Sequence, residues 1–363
     1  MPKHTPLYEE HKKAAGKMVE FAGYELPVQY PTGVIKEHLA VRETAGLFDV
    51  SHMGEVIFEG TDALANLQQL LTNDFSTLAV GKVRYTLMCN EDGGVLDDLL
   101  VYRLNEDKFL IVLNAANREK DVAWMESHLF GDVKFADISD EVAQVALQGP
   151  VAKEILSQLT ASENLPEKYY SFKEGVLLAG VSCLISQTGY TGSFGYEIYC
   201  QASDALKLWQ AILQAGSEFA LIPAGLAARD TLRLEAAMPL YGHEMDETIT
   251  PFEADLGFGV KLAKADFIGK QALTDKEKPE KTRVGLEVVG KGIAREHVEI
   301  FAKDGQPIGQ TTSGTMSPYL KKAIAMASID RNFAENGTEI ELQIRNKCVP
   351  AVIVPLPFYK RPK

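Results

Sequence analysis

At 363 residues the chain is longer than one compact core usually serves, so two or three domains are expected. Hydrophobic residues make up 46%, enough for a sizeable core. The longest apolar stretches, such as 95–101 and 349–357, are too short to cross a bilayer, and no membrane role is expected. The formal net charge of −13 argues against a nucleic-acid partner, which needs a basic face for phosphates.

The four cysteines, Cys89, Cys183, Cys200 and Cys348, are widely separated, and free thiols are expected of them. The seven histidines show no HxxxH or HExxH spacing, and no metal is expected. The first residues lack both a secretory signal pattern and a transit-peptide pattern, so a cytoplasmic location is the expectation.

In chain order, a helix is expected over 36–45, stopped by Gly46. Residues 47–59 read as strand, interrupted at Ser51-His-Met-Gly54, and Thr61 caps an amphipathic helix over 62–71. Strands at 84–89 and 95–104 flank the turn Asn90-Glu-Asp-Gly-Gly94. A third strand at 108–113 and a helix over 116–129 follow. A related plan then recurs: strand 142–147, helix 151–159, strands 175–179, 181–187 and 196–200, and helix 204–218. These are two α+β subdomains with antiparallel sheets. Residues 275–282, dense in Lys, Glu and Pro, read as a solvated linker. Beyond it lie short β-like runs at 283–289, 306–310, 323–329, 339–344 and 351–354, which suggest a small all-β barrel or sandwich.

Three constellations can carry chemistry. Asp97-Asp98 sits inside the strand pattern Val95-Leu-Asp-Asp-Leu-Leu-Val-Tyr102. Strand alternation sends the two carboxylates to opposite faces, Asp98 with Leu96 and Leu100, Asp97 with Val95 and Leu99. One reading is an edge-strand charge that discourages pairing with other chains, or a hydrogen bond into the adjoining Gly-rich turn. The other is a partly buried carboxylate of raised pKa, poised as a base. The segment Thr188-Gly-Tyr-Thr-Gly-Ser-Phe-Gly-Tyr-Glu197 spaces three glycines by three residues, which suits either an ordinary hairpin or a backbone turning tightly around a ligand. Glu197 can accept two parallel hydrogen bonds from an amidine-like edge, such as that of a pterin. Finally, Pro223-Ala-Gly-Leu-Ala-Ala-Arg-Asp-Thr-Leu-Arg-Leu-Glu235 opens a helix with Arg229 and Arg233 four apart on one face. They suit either a surface salt-bridge network with Asp230 and Glu235, or a grip on a planar heterocycle. A serine hydrolase elbow, a P-loop and a Rossmann glycine fingerprint are all missing from the sequence.

Together these segments resemble the glycine cleavage T-protein family. The resemblance spans nearly the whole chain: Thr5-Pro-Leu-Tyr8, Met18-Val-Glu-Phe-Ala-Gly23, Gly46-Leu-Phe-Asp-Val-Ser-His-Met53, Leu71-Thr-Asn-Asp74, the run 93–98, the run 114–121, Gln148-Gly-Pro150, Gly189-Tyr-Thr-Gly192, the run 225–234 and Thr312-Ser-Gly314. His243 and Ala227 depart from the family's usual glutamine and glycine.

The resemblance implies a three-domain cloverleaf around a central folate channel. The expected division is 1–50 with 140–250, then 51–139, then 275–363. It implies an aminomethyltransferase that passes a methylene carbon from the aminomethyl-lipoyl arm of H protein to tetrahydrofolate, without metal, flavin or pyridoxal phosphate. Asp98 would be the catalytic carboxylate. Glu197 and Arg229 would bind the pterin, and Tyr85, Tyr102, Met53, Asn114 and Tyr190 would line the folate pocket. Two relatives of this fold compete. A folate-dependent demethylation module would come fused to a dinucleotide-binding domain, which this sequence lacks. A non-catalytic folate-binding accessory protein of the same fold would carry a Lys-Gly-Cys-Tyr-x-Gly-Gln-Glu motif, which does not occur here.

Overall fold

Alternation in three neighbouring strands determines where the polar chemistry lies. In the computed structural model, which describes residues 1–361, Val142–Gln148, Val181–Ser186 and Gly195–Gln201 form the middle of a six-stranded sheet. The sheet order is Phe172–Leu178, Val181–Ser186, Gly195–Gln201, Val142–Gln148, Gly46–Asp49 and Ile222–Pro223. All pairs are antiparallel except the last, which is parallel. One face carries Ala143, Val145, Leu147, Val181, Cys183, Ile185, Tyr196, Ile198 and Cys200. It packs with Ile155 and Leu156 of helix Ala152–Leu156 and with Leu208, Trp209 and Ile212 of helix Ala205–Ala215. The period of two therefore turns Gln144, Gln148, Ser186, Glu197 and Tyr199 to the other face.

A second core covers that other face. It joins Tyr199 and Phe172 to Val83, Tyr102, Leu110 and Val112, with Met53, Ile57 and Leu100 packed against it. The latter group comes from a five-stranded antiparallel sheet ordered Val83–Cys89, Val95–Arg103, Lys108–Leu113, Gly54–Glu59 and Lys134–Asp137. The expected strands of both α+β halves are present. The helices are shorter than their sequence patterns, at Arg118–Ser127 and Ala152–Leu156.

By packing, the chain divides into two units. The first comprises Met1–Leu67, Phe75–Tyr85 and Leu99–Asp230; the second comprises Gln68–Asp74, Thr86–Asp98 and the chain from Thr231 onward. The second unit holds a closed barrel ordered Lys281–Val288, Ala323–Asp330, Pro307–Met316, Glu299–Phe301, Glu339–Ile344 and Lys347–Val354. Alternate apolar residues fill it, among them Leu286, Ile300, Ala325, Ala327, Ile340 and Ile353. Of the sandwich and the barrel, the barrel is the observed form. The expected linker is shorter than predicted: helix Lys270–Asp275 reaches into it and the first barrel strand starts at Lys281.

An N-terminal hairpin, Lys17–Phe21 with Tyr24–Gln29, has no clear mark in the sequence. Its two-residue turn puts both Ala22 and Gly23 at positive φ, +50° and +78°. Alanine is an unusual choice for such a turn, and Pro27 argues against a strand, so both local signals point the wrong way.

Within the barrel unit Gly314 is held by space. A Cβ there would lie 1.6 Å from the Ala294 carbonyl oxygen, a backbone atom that cannot swing aside. Gly314→Ala is expected to destabilise the barrel unit by about 3 kcal/mol, near the upper end for overpacking. Urea unfolding followed on the barrel signal checks this, and an unchanged midpoint would refute it.

Candidate active site

The glycine-rich segment takes its shape from one buried glutamine. Gln148 Nε2 donates to the carbonyls of Thr188 (3.2 Å) and Tyr196 (3.3 Å), and its Oε1 accepts from the Thr191 hydroxyl at 2.8 Å. A Cβ on Gly189 would lie 2.1 Å from Gln148 Oε1, and one on Gly195 would lie 2.6 Å from its Nε2. Gly192 adopts φ +74°. Gly189 is thus required by the glutamine, Gly195 by the glutamine together with the Leu147 carbonyl, also 2.6 Å from where its Cβ would lie, and Gly192 by the turn. Arg42, from helix Val34–Glu43, closes the arrangement by donating to the Thr191 carbonyl and the Ser193 hydroxyl, each at 2.7 Å.

This clamped segment delivers Tyr190 and Glu197. Glu197 is 5% exposed and lies opposite Ser186 and Ala146 in the sheet register. Burial pushes its carboxyl above the usual range. A 2.5 Å hydrogen bond from Thr188 and the charge of Arg229 act against that rise. Arg229 is held by helix Leu226–Glu235, and its guanidinium carbon sits 4.8 Å from the Tyr190 ring centroid, in cation–π range. Burial lowers its pKa, while Glu197 raises it. Its Nη1 is buried without a hydrogen-bond partner. A buried donor left unsatisfied is costly, and a ligand oxygen would satisfy it.

His52 completes the surroundings from the Ser51-His-Met-Gly54 turn. It packs edge-on to Phe21 and Tyr24. Burial, then the Arg229 charge, lowers it to about 4, so it is a neutral imidazole at neutral pH. Its Nδ1 is also buried without a partner. Unit 1 therefore assembles a planar cation over an aromatic face, a buried carboxylate and a neutral imidazole. That set suits a flat, polar heterocycle with both donors and acceptors on its edge.

All the sequence-predicted site residues except Asp98 fall in unit 1. Met53 is half-buried against the shared core with Tyr102 and Tyr199. Tyr85 and Asn114 are half-buried, one in strand Val83–Cys89 and the other just past strand Lys108–Leu113. Tyr102 is fully buried, and its hydroxyl meets those of Tyr199 (2.9 Å) and Thr188 (3.4 Å). Asp98 closes a segment of unit 2, half-buried, whereas Asp97 before it is 0% exposed. The edge-charge reading does not fit an aspartate buried as deeply as Asp97.

The surface-network reading of the two arginines is overturned. Arg233 is buried and pairs with buried Glu244 at 2.9 Å. It also donates to the Ser313 hydroxyl at 2.8 Å. Glu244 accepts in turn from Thr312 and Ser313. Arg233 is therefore committed within unit 2, although it lies one turn from Arg229. Sequence reasoning gave no role to Gln148, Tyr199 or Gln144. For Tyr199 a signal existed, since it lies two residues beyond Glu197 on the same strand face.

Because burial acts on both Glu197 and Arg229 in the unfavourable direction, the two are expected to cost stability rather than supply it. Replacing them together with near-isosteric neutral residues, Glu197→Gln with Arg229→Met, is expected to hold or raise stability by about 1–3 kcal/mol. A raised carboxyl pKa means the folded state binds its proton more tightly than the unfolded chain. Wild-type stability therefore falls as pH rises from the ordinary carboxylate range through the folded value, and the gain in the double variant should grow over that window. Thermal melts from pH 5 to 9 test the sign, and a variant that melts lower throughout would contradict it.

Comparisons with known proteins agree along the whole length. The GCVT N-terminal domain matches residues 7–264, and the glycine cleavage T-protein C-terminal barrel domain matches residues 281–360. An aminomethyltransferase of Bacillus mycoides (strain KBAB4) is 53% identical, over 99% of this chain and 98% of its own. One from Geobacillus sp. (strain WCH70) is 51% identical over the full length of both. The crystal structure of glycine cleavage system aminomethyltransferase T from Bartonella henselae superimposes with a TM-score of 0.92 at 34% identity, over 99% of each chain.

Proposed function

The chain belongs to the glycine cleavage T-protein family, and from that premise we propose that this aminomethyltransferase moves the methylene carbon of an aminomethyl group, carried on the lipoyl arm of H protein, to tetrahydrofolate. The products are 5,10-methylenetetrahydrofolate, ammonia and the dihydrolipoyl arm. The observation that carries the reading is the buried Glu197 carboxylate beside an Arg229 guanidinium whose Nη1 lacks a partner. A pterin offers what both lack: N3–H and the 2-amino group as donors for the carboxylate, and the 4-oxo group as an acceptor for the guanidinium. Each carboxylate oxygen has two lone pairs, so Glu197 Oε2 can keep its Thr188 bond and still accept from the ligand. Tyr190, already stacked with Arg229, supplies a flat face. Met53, Tyr85, Tyr102 and Asn114 take the pocket-lining roles that the family resemblance assigns.

In the reaction, a tetrahydrofolate nitrogen forms the new C–N bond with the methylene carbon. The C–S bond to the lipoyl arm and the C–N bond to the departing ammonia both break as the two folate nitrogens bond to the carbon, and the two protons those nitrogens lose end on the lipoyl thiol and on ammonia. The attacking nitrogen must present its lone pair and then lose a proton, while positive charge builds on the carbon. A carboxylate in reach helps both steps. Asp98 is proposed for that role, on its match to the family segment 93–98 and its half-buried place in strand Val95–Arg103. The three-domain division, 1–50 with 140–250, 51–139 and 275–363, goes with the same reading.

The test is tetrahydrofolate-dependent ammonia release from aminomethyl-lipoyl H protein. Asp98→Asn should fold and bind folate but lose about 10²–10⁴ in turnover. Asp97→Asn should lose mainly stability, since that residue is the fully buried one. Glu197→Gln and Arg229→Ala should each weaken tetrahydrofolate binding by about 1.5–3 kcal/mol, roughly ten- to hundredfold. Wild-type binding in both would remove the pterin assignment. Folate binding without any ammonia release by the unmodified protein would remove the catalytic one.

A further inference from the structure

We propose that Tyr199 and Tyr102 are positioning residues: with Gln144 and Thr188 they form a one-way hydrogen-bond chain that ends on Glu197 and keeps its carboxylate ionised and oriented for ligand donors. The inference rests on the pterin-edge role proposed for Glu197, and it concerns what lies behind that carboxylate. Gln144 Nε2 is 3.0 Å from the Tyr199 hydroxyl, which is 2.9 Å from the Tyr102 hydroxyl. Tyr102 is 3.4 Å from Thr188 Oγ1, and Thr188 Oγ1 is 2.5 Å from Glu197 Oε2. All five residues are buried.

The direction of the chain follows from counting protons. An ionised carboxylate only accepts, so the single Thr188 hydroxyl proton points at Glu197. With that proton committed to Glu197, Thr188 Oγ1 no longer donates to Ser186, 3.0 Å away, and is free to accept from Ser186 or Tyr102. At the far end the Gln144 amide nitrogen only donates, so Tyr199 accepts there and donates to Tyr102. Tyr102 then keeps its own proton for Thr188 or for Ser186, which itself lies against Thr188. Every dipole points toward Glu197, and bonds in such a row polarise one another in a low-dielectric interior.

The other groups around Glu197 act beside the chain, Arg229 by its charge. Ala146, opposite it on strand Val142–Gln148, is apolar, and Ser186 is opposite on strand Val181–Ser186. Arg229 acts from helix Leu226–Glu235 and Tyr170 from the loop before strand Phe172–Leu178. Glu55, on strand Gly54–Glu59, acts on Tyr199, but burial keeps that carboxyl protonated well above the usual range.

Tyr199→Phe deletes one oxygen and keeps the ring, and Tyr102→Phe does the same one link closer. The binding probe is tetrahydrofolate, titrated from pH 6 to pH 9. The Tyr199→Phe protein is expected to bind about tenfold more weakly at the acid end of that range, as for loss of an outer-shell partner, and to approach wild-type affinity as pH rises. A variant that is merely loosened would weaken equally at every pH, and parallel profiles would overturn the proposal. A second readout needs no folate: ¹³C NMR titration of carboxyl-labelled glutamates, with the Glu197 signal assigned by its loss in Glu197→Gln. In Tyr199→Phe and Tyr102→Phe that signal should titrate at higher pH than in wild type. An unmoved titration overturns the chain whatever folate does. Wild-type folate binding by Glu197→Gln, with the titration still shifted, would instead overturn the pterin reading and leave the chain standing.

Discussion

The cost of keeping a carboxylate dry governs the architecture of this site. Glu197 sits mid-strand between two apolar cores, where an uncompensated charge would simply take up a proton. Much of the nearby polar structure answers that cost. Thr188 bonds to the carboxylate, Arg229 faces it with opposite charge, and the Tyr102 and Tyr199 hydroxyls lie behind. These groups reach Glu197 from separate elements, so their alignment depends on the sheet register holding to the residue. A slip of one residue would turn Glu197 into the helix-covered core and bring Tyr196 or Ile198 out in its place.

Other buried charges in the chain are handled differently, and the contrast is informative. Arg233 and Glu244 pair directly, and hydroxyls from Ser313 and Thr312 take up further bonding capacity. Asp49 accepts from Thr5, Ser51 and His11, and His11 is held on its other nitrogen by Tyr30. Those clusters satisfy themselves internally and so behave as parts of the frame. Around Arg229 and His52 the accounting does not close: a guanidinium nitrogen and an imidazole nitrogen are both buried without partners. Glu55, Trp124, Gln144 and Gln187 also carry buried atoms without partners, so what marks Arg229 and His52 is that their open atoms accompany a buried carboxylate and an aromatic face.

Features that depend on neighbours in sequence were legible from the start. The strand periods, the Asn90-to-Gly94 turn, the barrel's short β runs and the glycine spacing at 189, 192 and 195 all carry local signals. What the sequence concealed was long-range. Nothing near Gly189 says that Gln148 occupies the space its Cβ would need, because the two meet only across a sheet. The arginines at 229 and 233 look equivalent by helical spacing, and only their partners, Glu244 against Tyr190 and Glu197, distinguish them. The N-terminal hairpin was hidden for the opposite reason: its turn uses an alanine, and its second strand a proline, where local rules expect neither.

The Gln148 clamp has a consequence for moving this site elsewhere. A graft that copied only residues 188–197 onto another sheet would transplant three glycines without the side chain that helps make two of them necessary. The loop would gain the freedom that glycine allows and lose the frame that restricts it, and ordering it would then cost entropy at each encounter with ligand. The transferable module is thus two adjacent strands, Val142–Gln148 and Gly195–Gln201, the loop leading into the second, and a donor in the place of Arg42. Portability here is a property of paired strands rather than of a motif.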